Sequence, residues 1–563
     1  MVRTEPRHGG TLRYFGPGSM DHVDPASAYY ALSHQIIRLY ARQLFNYPTA
    51  VDMSALTPVP DVAAEVPTVD KGGISADLCT YTIGLREGVY WDTTPPRPVT
   101  AADFVRGFKR MCNPVAGAGA IAYYTSTIKG MSEFAAGYRD VPGDAAALAA
   151  YQNTHEISGL RALDDRTLRI DLVRPANDLL NILSMTFASA APVEYDQYVP
   201  DSAEFCANIR SNGPYRLTSY EHGRTLTMER NPAWRQEGDP LRHQYVDAIE
   251  VKMERVTQDR VRRAMDTGEA DLSWASPVIV KDGSRAPDAD RHLGYALNPY
   301  IVFNLRSPNE RGAVGNVLVR RAIAYAVNKA AVVKLFDALD AGTQTQPAHT
   351  AIPPGNFGYR DYNLYPTPGD RGDPARCREL LAEAGYPDGL TLTALYRNVD
   401  VHPEVAKSYT HDLAAGGITV NLVPVSQSDY YRLLQDPERA VRGEWDFTAA
   451  AWTPDWFGNN GRAYIQPMFQ SNFAPGTANY GDYSNSEVDR LIQEALAAQD
   501  TEHAKELWHR IDRMVLQDVA IVPILVHEPT IPHMTSKRVR NAIPMPHIDR
   551  WFDATNLWLD PPD

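Results

Sequence analysis

Between Ala451 and Tyr464 the chain reads AWTPDWFGNNGRAY, which places one carboxylate, Asp455, between the indoles of Trp452 and Trp456. Flat apolar walls with a negative π face, set around a counter-charge, suit the holding of a small ligand that carries a positive group. The segment then breaks on Gly458, Asn459, Asn460 and Gly461, residue types that favour turns and tolerate unusual backbone angles. Asp455, Trp452, Trp456 and Asn459 are its candidate ligand-binding residues. None of them is a nucleophile, a proton-transfer pair or part of a metal cage, so the chemistry is holding rather than conversion. Taken alone, a tryptophan pair is more often core and an Asp after a proline more often a turn residue. The rest of the chain has to decide between the two.

No enzyme motif competes with that reading. The sequence contains neither a G-x-S-x-G elbow nor a Walker loop. Gly117, Gly119 and Ala122 fit the loose dinucleotide fingerprint, but they follow Cys112, Asn113 and Pro114 rather than a strand and read as a small-residue loop. His527 and Glu528 begin like a zinc-protease motif, yet Pro529 and Pro532 forbid the helix that would bring two histidines together. Cys79, Cys112, Cys206 and Cys377 lie far apart with no C-x-x-C pair, which leaves zinc and iron–sulfur binding unsupported. One disulfide, Cys112 to Cys206, and free buried thiols both stay open. The expectation is no catalytic residue, no metal and no cofactor.

A chain of 563 residues is too long for one core and suggests several domains. Apolar residues at 44% and charged residues at 22% exclude a disordered chain. The formal net charge of −14, with no basic run, argues against nucleic acid. The 42 prolines and 30 tyrosines suit a loop-rich protein with a polar-lined cavity. No apolar stretch is long enough to span a bilayer. The opening MVRTEP has no apolar signal core and no cysteine for a lipid anchor.

The elements that must position these residues alternate between strands and helices throughout. Gly9 to Phe15, Thr80 to Leu85, Thr167 to Leu172, Arg224 to Glu229 and Ala248 to Met253 read as strands. Ala28 to Phe45 reads as a helix, and Thr100 with Asp103 forms a capping box opening another from Phe104 to Met111. Leu318 to Phe336 reads as one largely buried helix, and Asp373 with Pro374 opens a helix running to Gly385. Helical spacing recurs at Val488 to Leu496 and Leu507 to Val515, and Ala520 to Val526 reads as a buried strand. Mixed elements without a fixed repeat indicate interleaved α/β lobes.

Taken in order, several stretches resemble the family 5 extracellular solute-binding proteins of ABC importers, the peptide, dipeptide and nickel-binding group. They are GTLR with Asp24 and Pro25 downstream, YTIGLREGVYWD before PVTAADFVRGFKRM, and GPYRLTSYEHGRTLTMERNPAW. After these come YIVFNLRS with VRRAIAYAVNKAAVV, ARCRELLAEAGYPDGLTLTALY, NYGDYSNSEVDRLI and AIVPILVHE. The resemblance runs from about Gly9 to Ile543. It implies an α/β, periplasmic-binding-protein-like fold of two lobes with an extra inserted domain and a ligand cleft between lobes. Lobe I would comprise residues 1–50, 191–293 and 527–563, the inserted domain 51–190, and lobe III 294–526.

The function so implied is capture of a peptide or peptide-like solute by lobe closure, with delivery to the transmembrane subunits of an ABC permease. The protein would act as a monomer without enzymatic activity. It would sit outside the cell, lipid-anchored or periplasmic, or in the cytoplasm if Met1 is the native start. Asp455 falls where peptide-binding members carry the Asp that receives the ligand's α-ammonium. Those members usually continue with a second acidic residue, which Gly458, Asn459 and Asn460 replace here. Arg397 lies where dipeptide-binding members place an Arg for the ligand's carboxylate, with a surface salt bridge as the plainer alternative. Tyr29 and Tyr30 sit in a region that lines the cleft in the family. Asn304, Arg320 and Arg321 are expected to be structural. Two other functions stay open: a non-peptide solute (oligosaccharide, metal chelate or secondary metabolite), and an intracellular sensor or enzyme that has borrowed the fold.

Overall fold

The GTLRYFG run forms β1 (Thr11–Gly16), whose Leu12 and Tyr14 are buried in a core of largely apolar residues. It is seen in a computed structural model that describes residues 5–275, 278, 294–339, 345–399, 401–471, 477–527, 533–548 and 550–561. The chain divides into two compact units, Met1–Arg291 with Ile531–Asp563, and His292–Thr530.

In the first unit β1 is followed by α1 (Ala31–Tyr40), β2 (Thr80–Gly84), α2 (Ala101–Arg110), β3 (Leu160–Asp164) and β4 (Thr167–Asp171). Then come β5 (Tyr215–Glu221), β6 (Thr225–Arg230), β7 (Ala248–Met253) and β8 (Leu272–Ser273). One sheet has the order β8–β1–β7–β6–β5, with β1 parallel to both neighbours and β6 antiparallel to its own. A separate antiparallel sheet runs β2–β4–β3. The capping box opening α2 is present as expected, the Thr100 hydroxyl and the Asp103 carboxylate each taking the other's backbone N–H. The C-terminal segment is tied in by charge. Buried Arg38 donates to Asp553 at 3.1 Å, beside a buried cluster in which Asp61 accepts from Arg42 and Arg242.

The helix expected from Ala28 to Phe45 is shorter. The Asp21 carboxylate accepts the amides of Tyr29 at 2.7 Å and Tyr30 at 3.1 Å, which holds the chain out of the helix until Ala31. Beyond Tyr40 the backbone turns extended, and Phe45 and Asn46 pair with Pro60 and Val59. The four cysteines are free thiols, so no disulfide joins Cys112 to Cys206; Cys112 and Cys377 are buried and Cys79 and Cys206 half-buried.

The second unit carries β9 (Ala296–Phe303), α3 (Val317–Ala326), α4 (Lys329–Leu339), β10 (Thr345–Pro347), α5 (Pro374–Glu383), β11 (Leu390–Arg397), α6 (His402–Ala415) and β12 (Ile418–Val425). After them come α7 (Gln427–Leu434), β13 (Phe447–Trp452), α8 (Gly461–Phe469), α9 (Ser486–Ala497), α10 (Thr501–Gln517), β14 (Ile521–Pro523) and β15 (Leu525–His527). Its sheet has the order β10–β15–β9–β13–β11–β12, with β14 also pairing β9. Strands β12, β11 and β13 are mutually parallel neighbours. Two cores flank the sheet. Leu392, Ala394, Phe447 and Ala449 enter one, while Leu395, Ala450 and Trp452 enter the other.

The expected helix from Leu318 to Phe336 is two helices. Asn328 breaks it by donating its amide to Asp412 at 2.9 Å while its side chain caps Ala331 at 3.0 Å. The strand expected from Ala520 to Val526 is likewise divided, at Ile524, just after Pro523, which has no N–H for a ladder. Asn304 and Arg320 are structural. Arg320 donates to the carbonyls of Val314, Gly315, Asp518 and Val519. Glu528, Pro529 and Pro532 of the histidine motif lie outside the described residues.

Asn304 closes β9 against the approach to β13, since its fully buried amide donates to Ala440 and Trp445 carbonyls, both at 2.8 Å. Asn304→Ala strips two buried acceptors of their donor and should destabilise this unit by about 2–4 kcal/mol. Urea unfolding of the variant measures the loss; a midpoint unchanged from wild type would show that the two bonds contribute little.

Candidate functional site

The parallel register pairs Ala394 with Phe447 and Leu395 with Thr448, so β11 and β13 run side by side and end at the same edge of the sheet. Side chains two apart on a strand share a face. Arg397 therefore follows Leu395, and Trp452 follows Ala450, onto the same face at the carboxyl ends of adjacent strands. In open α/β sheets this is the edge at which ligands collect. Extending the register puts the Cα of Trp452 about 7 Å further along the strand direction than that of Arg397, and about 5 Å to the side.

Beyond Trp452 the chain leaves the sheet in a turn built by its own residues. Trp452 is 7% exposed and its indole N–H donates to the Ala463 carbonyl at 2.8 Å, at the start of α8. Trp456 is fully buried and donates to the Asn459 carbonyl at 2.7 Å, which closes the turn carrying Asp455. Gly458 has φ +82°, a conformation that costs any other residue. Gly461 is required for a different reason, because a Cβ there would lie 2.6 Å from the Trp508 ring. Asp455 and Asn459 are half-buried, whereas both indoles contribute to packing.

Asn460 fastens this turn to a second loop. Its side chain accepts the Phe357 amide at 2.9 Å and donates to Asn356 at 2.7 Å, and Asn356 in turn donates to the Tyr295 carbonyl at 2.9 Å. The second loop is held from α10, where buried Asp512 accepts the amides of Ala351 at 2.8 Å and Ile352 at 3.4 Å. The sequence reading named Asn460 only as a turn residue and missed Asn356 and Asp512. No local pattern flags a hydrogen bond made across about a hundred residues.

Arg397 is also buried, at 7% exposure. Its guanidinium carbon lies 5.5 Å from the Tyr430 ring centre and 5.6 Å from that of Tyr431, both on α7. Its Nη2 donates to His402 Nδ1 at 3.4 Å, and its buried Nε has no partner. Among the described residues no carboxylate forms an ion pair with it, so the surface salt bridge weighed as its alternative is not the arrangement found. The phenols nearby supply no charge either. Burial drives Tyr300, Tyr430 and Tyr480 well above the usual phenol range, with Arg397 pulling the other way. Burial and the adjacent Arg397 lower His402 to about 3, so it is uncharged at neutral pH.

Tyr29 and Tyr30 belong to the other unit. Tyr29 is half-buried with its ring centre 5.8 Å from that of Phe187, and Tyr30 is 51% exposed at the start of α1. Among the described residues no group of three or more His, Cys, Asp or Glu could hold a metal ion, and no helix is long and apolar enough to cross a membrane.

Residues 57–476, most of the chain, match the family described as bacterial extracellular solute-binding proteins, family 5. A glutathione-binding protein, GsiB of Salmonella typhi, is 26% identical over 542 residues, covering 95% of this chain and 92% of its own. The dipeptide-binding protein DppE of Bacillus subtilis (strain 168) is 24% identical over 511 residues, covering 88% and 84%. Among solved structures, clavulanic acid biosynthesis oligopeptide binding protein 2 superposes with a TM-score of 0.80 at 24% identity, covering 99% of this chain and 96% of that one.

The anchoring of the turn has a measurable consequence at Asp512. Burial pushes its carboxyl up to about 7, with the two amide bonds pulling the other way. The folded state thus holds this proton more tightly than the unfolded chain, where an Asp titrates near 3.9. Its contribution to stability is full below about pH 4 and is lost as pH rises through 7. Asp512→Asn, which stays neutral, should melt with a flatter pH dependence than wild type between pH 4.5 and 7. Parallel melting curves for the two proteins across that range would show that Asp512 is not titrating there.

Proposed function

The chain belongs to the bacterial extracellular solute-binding proteins of family 5, and we propose that it is the capture subunit of an ABC importer for a short peptide or peptide-like solute. In this reading it is a non-enzymatic receptor that works outside the cell as a monomer and hands its ligand to the permease's transmembrane subunits. One observation carries the assignment: a buried guanidinium without a described counter-charge stands at the carboxyl end of β11, one strand away from the turn that carries Asp455. An isolated buried cation is costly, and an anion delivered by the ligand removes that cost. Arg397 would take a terminal carboxylate through its planar fork and Asp455 the α-ammonium. An extended chain of two or three residues spans about 7–10 Å, which suits two such groups at the ends of neighbouring strands. Two relatives are named for binding a dipeptide and glutathione, both short peptides.

The indoles are assigned a smaller part than the sequence suggested. Trp452 and Trp456 spend their N–H groups on the Ala463 and Asn459 carbonyls, so they shape the turn and wall it rather than stack freely on a ligand. Tyr29, Tyr30 and Asn459 remain candidate contacts.

Mass spectrometry of small molecules released on denaturing the purified protein should reveal a short peptide or a peptide-like zwitterion. N-acetylation of that ligand, or Asp455→Asn in the protein, should each weaken binding at least tenfold, about 1.4 kcal/mol or more, as read by calorimetry. Unchanged affinity in both would remove Asp455 from the ammonium role, and a neutral sugar as the sole released molecule would refute the peptide assignment.

A further inference from the structure

His402 is a half-buried residue at the first position of α6, followed by Pro403. Its Nδ1 faces Nη2 of Arg397 at 3.4 Å, with Tyr430 and Tyr431 against the guanidinium as well. Other buried arginines in this structure meet carboxylates (Arg42 and Arg242 with Asp61, Arg38 with Asp553, Arg110 with Asp24) or, for Arg320, four backbone carbonyls. Arg397 is handled differently. Among the described residues it meets two tyrosine rings and one imidazole, and no carboxylate.

That imidazole is kept neutral by several independent effects. Burial disfavours its cation, Arg397 repels a second positive charge, and the amino end of α6 adds a positive partial charge of its own. With Nδ1 accepting, the ring proton rests on Nε2. A neutral acceptor can fix the plane of a guanidinium through one N–H and leave its net charge untouched. An Asp or Glu in the same place would fix it equally well and cancel that charge.

We propose that His402 is the positioning residue of Arg397, an uncharged acceptor that orients the guanidinium while reserving its charge for a ligand carboxylate, and so sets the preference for an acid over a neutral terminus. The proposal rests on the reading of Arg397 as the carboxylate site. It also explains the orphan Nε. The donors left over after His402 has taken one N–H are those available to a two-point contact with an incoming carboxylate.

The test uses an isosteric pair, His402→Asn and His402→Asp, whose side-chain oxygens can stand where Nδ1 stands and which differ in charge. An equimolar mixture of dipeptides with free-acid termini and the same dipeptides as C-terminal amides is presented to each protein, and captured species are counted by native mass spectrometry. Wild type and His402→Asn should prefer acids over amides at least tenfold. His402→Asp should lose most of that preference while melting no lower than His402→Asn, which a merely structural role for His402 would not produce. Retention of the full acid preference in His402→Asp overturns the proposal. Nitrogen NMR of the full-length protein at pH 7 supplies a readout independent of any ligand. His402 should appear as the Nε2–H tautomer, with its Nδ1 signal shifting in Arg397→Gln; a protonated ring, or a ring indifferent to Arg397→Gln, overturns it. Capture of neither acids nor amides by wild type would instead count against the peptide assignment, and the NMR result then decides the proposal alone.

Discussion

The parallel pairing of β11 with β13 is the constraint from which the candidate site follows. Two parallel neighbours must end at the same edge, and in this chain one ends on Arg397 and the other on the turn carrying Asp455. Residues of opposite charge, more than fifty apart in sequence, are thereby brought to one edge of one sheet. The strands reach this register because both are apolar on both sides: Leu392 and Ala394 face one core and Leu395 the other, matched by Ala449 and Ala450 on β13. A slip of one residue would send Arg397 through the sheet to the opposite core. The hydrophobic pattern of two strands thus fixes where a guanidinium stands.

Register alone does not hold a turn in place, and here polar side chains do what apolar packing cannot. Asn304 takes the Ala440 and Trp445 carbonyls on the approach to β13, and Asn460 joins the exit turn to the loop of Asn356 and Phe357. Asp512 holds the far side of that loop from α10. Each of these is buried and bonded to backbone, where a missed bond costs more than a made bond gains. The result is that α10 holds one loop, and that loop holds the turn carrying Asp455, each through hydrogen bonds of buried side chains. Such anchoring suits the ammonium-binding role proposed for Asp455.

Much of this was legible in the sequence, for physical reasons that differ by element. Strands β4 and β7 and helices α2 and α5 show themselves because alternation, a capping box or an Asp–Pro start is written in adjacent residues. The helix expected over 318–336 conceals its break because Asn328 departs from it to meet Asp412, a partner that helix propensity does not see. The same distinction governs the site. Asp455 announces itself by its tryptophan neighbours and Arg397 by its place in the order of family segments. His402 lies five residues from Arg397 and still passes unread, since a histidine's charge depends on burial that only the fold creates. The two tryptophans have a further role that their spacing does not show. Their flanking of Asp455 is legible in the sequence, while the bonds from their indole N–H groups to the Ala463 and Asn459 carbonyls appear only in the fold.

The contrast between the two units sharpens the charge argument. In the first, buried arginines are numerous and paired: Asp61 serves both Arg42 and Arg242, and Asp553 serves Arg38. Those clusters bind the C-terminal segment to the N-terminal one, and their charges cancel locally. The second unit buries Arg397 among tyrosine rings and an uncharged histidine. Removing the counter-ion from a buried guanidinium sacrifices stability, and nothing about packing β11 against α7 requires that sacrifice, since a Leu or Met would fill the same volume. Arg320 in the same unit is buried without an ion pair too, but four backbone carbonyls take its donors; among the described residues Arg397 has only His402 and the tyrosine rings, which is what sets it apart.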